Sequence, residues 1–191
     1  SQSPQSETKT PTEKLSDYLN RPGKWKTFFG HSRRSGDGVA LANETYHEYT
    51  VLGLPSWLDV RMADTSTPAM QEGVQNSDSF IAIVTGPCVN PDSPTDKPED
   101  NAYFRREYCL MELRWARAAG KRIVCVVRAE DKDQVDSIFN LAPIEFRYLR
   151  ENVVFFDRND LDYQKIGIRQ ILISNGENCK IKLVERVFAT S

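Results

Sequence analysis

Short apolar runs alternate with amphipathic segments from about Lys24 onward, and this alternation most limits what the chain can fold into. Phe80–Thr85 (FIAIVT) and Arg122–Val127 (RIVCVV) are nearly continuous apolar runs, typical of strands that are covered on both faces. Helical periodicity between such runs predicts an α/β fold with a mostly parallel sheet. We therefore expect a flavodoxin-like three-layer sandwich with a five-stranded parallel sheet in the order 2-1-3-4-5.

The same pattern predicts where the individual elements lie. The predicted strands are Lys26–Gly30, Ser56–Val60, Phe80–Thr85, Arg122–Val127 and Val153–Phe156. The predicted helices are Gly38–Leu52, Pro68–Asn76 with Thr67 as its N-cap, Arg105–Gly120, Asp131–Asn140 and Leu161–Ser174. Gly86–Phe104 holds four prolines and is predicted to be a long loop. For Lys180–Phe188 a strand and a helix both remain open.

The 191 residues suit one ordinary domain with modest tails. We predict a disordered lead-in or linker over 1–23, because its opening residues are mostly Ser, Thr, Gln and Pro. The domain itself is predicted to cover 24–175, and 176–191 is assigned to a C-terminal extension.

Charge, hydropathy and cysteine usage disfavour several classes of function. A net charge of −2 lacks the basic excess of a dedicated nucleic-acid binder. The longest apolar stretch, Phe80–Gly86, is far shorter than a membrane span, and no secretory signal opens the sequence, so we expect a cytoplasmic protein with no membrane partner. The chain has no CxxC pair and no HExxH motif, so we expect no metal site and read the cysteines, Cys88, Cys109, Cys125 and Cys179, as buried free thiols.

The helix predicted at Arg105–Gly120 carries an acid on its apolar face. A helical wheel places Glu112 among Tyr108, Cys109, Trp115 and Ala116, whereas Arg106, Glu107, Arg114 and Arg117 fall on the opposite side. A buried carboxylate is costly unless it is paired or protonated. Glu112 is therefore either a structural residue held by Arg33, Arg34 or Arg105, or a functional acid at the mouth of a pocket.

Five segments follow one another along the chain: FFGHSRR (Phe28–Arg34), SWLDV (Ser56–Val60), SDSFIAIVTGP (Ser77–Pro87), YCLMELRWA (Tyr108–Ala116) and RIVCVV. Taken in this order, they resemble a Toll/interleukin-1 receptor (TIR) domain. The first three are similar to the first three strands of that family and their flanks, YCLMELRWA to its C-x-x-E-L helix, and RIVCVV to its fourth strand. The resemblance spans roughly residues 24–173. Two features depart from the family pattern: the loop Val60–Thr67 is short and lacks the usual glycine, and Arg105-Arg106-Glu107 replaces the usual serine before the cysteine.

The resemblance implies either of two functions. Some TIR domains are hydrolases that cleave the nicotinamide–ribose bond of NAD+, giving ADP-ribose or cyclic ADP-ribose, in immune or cell-death signalling. Others are non-catalytic scaffolds that act by TIR–TIR self-association. In the enzymes the glutamate of the C-x-x-E helix is catalytic, which corresponds to Glu112 here. NAD+ is then the substrate, no separate cofactor is implied, and the expected protein partners are other TIR domains, with a homo-oligomer forming on activation.

Further residues are candidate substrate contacts, each with a structural alternative. Arg33 and Arg34 would hold the pyrophosphate or belong to a solvated turn, and His31 would be a base or an ordinary polar surface residue. Core packing is favoured for Trp57 and Tyr108 over ring stacking on the substrate, and capping of the next loop is favoured for Asp59. The list of candidates is His31, Arg33, Arg34, Trp57, Asp59, Tyr108 and Cys109, with Glu112 as the catalytic residue.

Overall fold

In the computed structural model of the protein, which describes residues 23–177, 180, 181 and 184, five strands alternate with helices. The strands are β1 (Trp25–His31), β2 (Ser56–Trp57), β3 (Ser77–Ile83), β4 (Arg122–Arg128) and β5 (Val153–Phe156). The α-helices are α1 (Gly36–Val51), α2 (Thr67–Gln75), α3 (Pro98–Asn101), α4 (Glu107–Ala118), α5 (Val135–Asn140) and α6 (Leu161–Ser174). Short 3₁₀ segments lie at Asp59–Arg61, Tyr103–Arg105, Ala129–Gln134 and Ile144–Asn152.

The sheet confirms the predicted architecture. Its strands run in the order β2-β1-β3-β4-β5, and every neighbouring pair is parallel. Two apolar cores cover its faces, as a three-layer sandwich requires. Phe28 of β1 points into the core beneath α2, α4 and α5, whereas its neighbour Phe29 points into the core beneath α1 and α6.

The topology of the sheet also defines where a ligand is expected. The chain leaves β1 through α1 on one face and β2 through α2 on the other, so the strand order reverses between β1 and β3. Ligands of open α/β sheets bind at such a point, beyond the carboxyl ends of the strands. His31 closes β1 there and pairs in register with Ile83 of β3.

Several element boundaries differ from the sequence predictions for local reasons. The prediction of a second strand to Val60 is wrong, because β2 pairs with β1 only through Ser56 and Trp57 and a 3₁₀ turn then begins at Asp59. β3 starts at Ser77, ahead of the apolar run that signalled it. The N-cap of α2 is Ser66, whose hydroxyl accepts the N–H of Ala69, so the cap lies one residue before Thr67.

The predicted loop Gly86–Phe104 is more ordered than its prolines indicated. It contains α3 and a 3₁₀ turn, and buried Asn101 fastens it by donating to the Cys88 carbonyl (2.9 Å). The Ser32 hydroxyl in turn donates to the Asn101 carbonyl (2.9 Å). This segment is therefore tied to the turn that follows β1.

Most of the predicted tails lies outside the described residues, and three of the four cysteines lie within them. The lead-in 1–22, Cys179 and most of Lys180–Phe188 lie outside the described residues. Cys109 and Cys125 are buried free thiols as predicted, whereas Cys88 is only half-buried. Within the described residues, no helix is both long and apolar enough to cross a bilayer.

Candidate functional site

A cavity of about 500 Å³ opens beyond the carboxyl end of β1. The turn after β1, the loop after β2, the first turn of α2 and the first two turns of α4 form its walls. Its lining residues are His31, Ser32, Arg33, Arg34, Asp59, Thr65, Ser66, Thr67, Met70, Arg106, Tyr108, Cys109 and Glu112. The cavity brings together all the candidates singled out from the sequence except Trp57.

Glu112 lies on the inner face of α4, against β1. Only 7% of the residue is exposed, and Gly30 of β1 leaves room for it: a Cβ at Gly30 would lie 3.0 Å from Glu112 Oε2. Burial raises the pKa of Glu112 well above its ordinary value, and the nearby Asp59 carboxylate raises it further, while Arg33 opposes both effects. The cavity thus contains a carboxyl group whose charged form is poorly solvated.

The structure does not support a structural ion pair at Glu112. Among the described residues, none donates a hydrogen bond or forms a salt bridge to its carboxyl group. Arg33 pairs with Asp59, Arg34 Nη1 lies 3.2 Å from Asp96 Oδ2, and Arg105 is exposed. Because Arg33 and Arg34 form salt bridges with other carboxylates and Arg105 is exposed, the carboxyl group of Glu112 remains available to a ligand.

His31 is buried, so its interpretation as a polar surface residue is wrong. β1 continues through this residue into the sheet, which leaves only 2% of its side chain exposed. Its Nε2 atom has no hydrogen-bond partner in the described structure and lies 3.8 Å from Asp59 Oδ1. Burial lowers the pKa of His31, and the attraction of Asp59 only partly offsets this effect. Burial thus favours the neutral form of the imidazole next to the cavity.

Asp59 has the loop-capping role that the sequence favoured and also lines the cavity. Its Oδ1 accepts the N–H of Val60 at 2.6 Å, and its Oδ2 forms the ion pair with Arg33. The cavity therefore contains a second carboxylate in addition to Glu112, the one catalytic acid that the resemblance to TIR domains implies. Since Asp59 is paired and Glu112 is not, the two acids have different environments within one site.

Tyr108 and Cys109 open α4 on the side of the cavity. Tyr108 is 51% exposed, so the prediction that it packs in the core is wrong, and its ring is accessible at the cavity wall. Cys109 is buried, and its thiol donates to the His31 carbonyl at 3.5 Å, which links α4 to β1. Burial raises the pKa of Cys109, so the sulfur remains a thiol and is a weak nucleophile.

Trp57 lies in the core, which confirms the packing role that the sequence favoured. Its inclusion among the candidate substrate contacts is wrong, because it does not line the cavity. Its ring stacks on Phe28 with centroids 4.2 Å apart and an interplanar angle of 11°. The indole also packs against Gly73 of α2, where an added Cβ would lie 2.6 Å from Nε1. Trp57 therefore supports the wall formed by α2 without lining the cavity.

Sequence reasoning missed Arg106 and the first turn of α2. Arg106 is the N-cap of α4, outside the regular helix, so a wheel drawn from Arg105 placed it wrongly on the solvent face. The departure from the family pattern at Arg105-Arg106-Glu107 was the available signal. Thr65, Ser66, Thr67 and Met70 enter the cavity because β2 is short and the chain turns early toward α2.

The composition of the cavity limits what it can bind and do. Three arginines, Arg33, Arg34 and Arg106, line it, and guanidinium groups suit phosphate oxygens. A poorly solvated carboxylate such as that of Glu112 stabilises positive charge that develops on a reacting ligand. Within the described part of the chain, no group of three His, Cys, Asp or Glu side chains is placed to hold a metal ion.

Comparison with known proteins adds little on function. No family model and no curated protein matches the chain. Among solved structures, that of the CMP N-glycosidase BcmB from Clostridium botulinum matches with a TM-score of 0.38 and 13% identity, over 77% of this chain and 97% of that chain. A likeness of this size establishes neither a shared activity nor a shared ligand.

Proposed function

We propose that this protein is a hydrolase that cleaves the nicotinamide–ribose bond of NAD+, with Glu112 as its catalytic residue. The observation that carries the proposal is the unpaired carboxyl group of Glu112, buried in a cavity that also contains three arginines. The likeness of YCLMELRWA to the C-x-x-E-L helix of TIR domains supports the same role.

The chemistry needs one well-placed carboxylate. When the C1′–N bond breaks, its electron pair passes to the ring nitrogen, and nicotinamide leaves as a neutral molecule without a proton donor. The ribose is left as an oxocarbenium-like cation, which ionised Glu112 stabilises. Water then adds to C1′ and gives its proton to the carboxylate, which yields ADP-ribose. Addition of the adenine ring of the same molecule instead yields cyclic ADP-ribose.

The raised pKa of Glu112 is compatible with this role. Desolvation penalises the isolated carboxylate, but the positive charge on the nicotinamide ring of bound NAD+ favours its ionised form. The attraction increases as charge moves to the ribose in the transition state. A poorly solvated carboxylate therefore contributes more at the transition state than in the empty site.

Self-association belongs to the proposal as its condition for activity. The resemblance to TIR domains carries this part, since modules of that family act when assembled. The net charge of −2 offers little long-range repulsion against such assembly.

Incubation of the purified chain with NAD+ at high protein concentration tests the proposal. Chromatography should show nicotinamide together with ADP-ribose or its cyclic form, in equal amounts of base and sugar product. A protein that self-associates but releases no nicotinamide would contradict the enzymatic proposal and favour the scaffold. The ratio of the two sugar products distinguishes hydrolysis from cyclisation.

A further inference from the structure

The three arginines of the cavity differ in what already neutralises them. Arg33 is paired with Asp59, and Arg34 with Asp96. Arg106, which is half-buried, forms no salt bridge within the described residues, and its guanidinium donates only a long hydrogen bond to the Asp100 carbonyl (3.4 Å). Arg106 is therefore the arginine of this cavity that forms no salt bridge in the described structure, although its charge acts on the Asp96 carboxylate from a longer distance.

Arg106 also stands at an uncapped helix end. It is the N-cap residue of α4, and no side chain caps the N–H groups of the first turn. The Leu110 N–H donates the first helical hydrogen bond to the Arg106 carbonyl (3.1 Å). The N–H groups of the three residues between them, 107–109, therefore have no helical acceptors. At α2, by contrast, Ser66 caps its own helix. The free N–H groups and the helix dipole of α4 favour an anion at this end.

A third observation in the same cavity points to a polar ligand. The Nε2 atom of His31 is fully buried, lacks a hydrogen-bond partner in the described structure, and belongs to a side chain that is only 2% exposed. The His31 carbonyl accepts from Cys109 in the first turn of α4, so the two features share one wall. Buried polar atoms normally have partners, and this unpartnered atom belongs to a side chain of a residue that lines the cavity, 3.8 Å from Asp59 Oδ1.

We propose that Arg106 and the N-terminus of α4 bind a phosphate group of the substrate, so that the site accepts nucleotides and discriminates against nucleosides. This inference rests on the proposed function in taking the ligand to be a nucleotide. Arg106, which departs from the TIR pattern, is then the main phosphate contact in place of Arg33 and Arg34, because these two arginines form salt bridges with carboxylates. A guanidinium can donate two parallel hydrogen bonds to a phosphate group, and the N–H groups of the first helical turn can donate to its remaining oxygens.

Calorimetric titration with ADP tests the inference without requiring turnover. We expect Arg106→Gln to bind ADP at least about tenfold more weakly than wild type, and Arg106→Lys to lose less because it keeps the charge. Arg105→Gln is the matched control, since Arg105 is exposed and does not line the cavity. Adenosine should bind all four proteins equally weakly. Circular dichroism verifies that each variant is folded.

Two results would overturn the inference: no ADP binding by folded wild type at millimolar ligand, or equal affinities for wild type and Arg106→Gln. Steady-state kinetics adds a second readout. Arg106→Gln should raise the KM for NAD+ about tenfold, and it should impair turnover of nicotinamide riboside, which has no phosphate, much less. A chain that binds ADP through Arg106 without cleaving NAD+ would refute the proposed function alone. Cleavage of NAD+ with no effect of Arg106→Gln would refute the inference alone.

Discussion

Glu112 on α4 packs directly against Gly30 on β1. A Cβ at Gly30 would lie 3.0 Å from Glu112 Oε2 and 2.5 Å from Phe80 Cζ, so no side chain fits without displacing its neighbours. The carboxyl group therefore occupies space that exists only because β1 has a glycine at this position. The position of Glu112 depends on a strand distant in sequence as well as on its own helix.

Gly30→Ala should destabilise the fold and impair the site together. The added methyl group overpacks a buried junction, which costs about 1–3 kcal/mol, and it pushes the Glu112 carboxyl group out of its place. Gly36→Ala is the control, because the nearest atom to its Cβ is 3.9 Å away. Urea denaturation and NAD+ turnover measure both effects. A Gly30→Ala protein with wild-type stability and turnover would contradict this description of the junction.

Glu112→Gln should stabilise the protein at neutral pH. The folded-state pKa of Glu112 is raised by burial, so the folded chain retains a proton that the unfolded chain loses above about pH 4. The free energy of unfolding therefore falls as the pH rises above about 4. Removing the ionisable group should yield a gain on the order of 1 kcal/mol at about pH 7.5 that shrinks toward pH 4.

Urea titrations at several pH values measure that difference. His31 has the opposite sign, because its lowered pKa makes folding less favourable as pH falls below about 6.5. His31, Asp59 and Arg33 are present in both proteins, so their contributions largely cancel in the comparison. A Glu112→Gln protein less stable than wild type at neutral pH would show that the carboxylate has a structural partner.

Tyr108 should contribute to binding and not to folding. Its ring is half-exposed at the cavity wall, where it can stack on a flat ligand, so Tyr108→Ala should raise the KM for NAD+ by up to about tenfold. Tyr108→Phe keeps the ring and should behave like wild type. Melting temperatures should change little in either variant. Loss of stability in Tyr108→Ala, with an unchanged KM, would return this residue to a packing role.

Specific activity should rise with protein concentration. Assembly of the chain is part of the proposed mechanism of activation, and the near-neutral net charge does not oppose it. Light scattering combined with NAD+ turnover over a dilution series measures both quantities on the same samples. Full activity of a strictly monomeric protein would show that assembly is unnecessary.

The fold could be predicted from the sequence because its signals are local. The apolar runs of β4 and β5 and the periodicity of α6 identify these elements, and the observed bounds of β5 (Val153–Phe156) and α6 (Leu161–Ser174) equal the predicted ones. β2 is shorter than the sequence predicts because only two of its residues pair with β1, and strand pairing is a tertiary property. The pattern of Ser56–Val60 alone does not reveal that Asp59 turns the chain into a 3₁₀ segment.

The candidate site could be predicted only in part. A wheel detects Glu112, since an acid on an apolar face violates the helical pattern. The burial of His31 follows from its register with Ile83, and the pairing of Arg33 with Asp59 joins two separate loops. Such contacts between distant segments leave no periodic trace in one sequence. The wheel places Arg106 on the solvent side because the predicted helix begins at Arg105, two residues before the observed start of α4 at Glu107.

In the proposed mechanism, Glu112 stabilises the positive charge formed when NAD+ is cleaved. The direct measurement is nicotinamide release by wild type, Glu112→Gln and Glu107→Gln at equal concentration. Glu107 lies on the same helix but is exposed and outside the cavity, so its variant controls for the lost charge. We predict that Glu112→Gln remains folded and loses about 100-fold or more in rate, equivalent to about 3 kcal/mol, while Glu107→Gln keeps wild-type activity. Equal NAD+ cleavage by folded Glu112→Gln and wild type would contradict the catalytic role of Glu112.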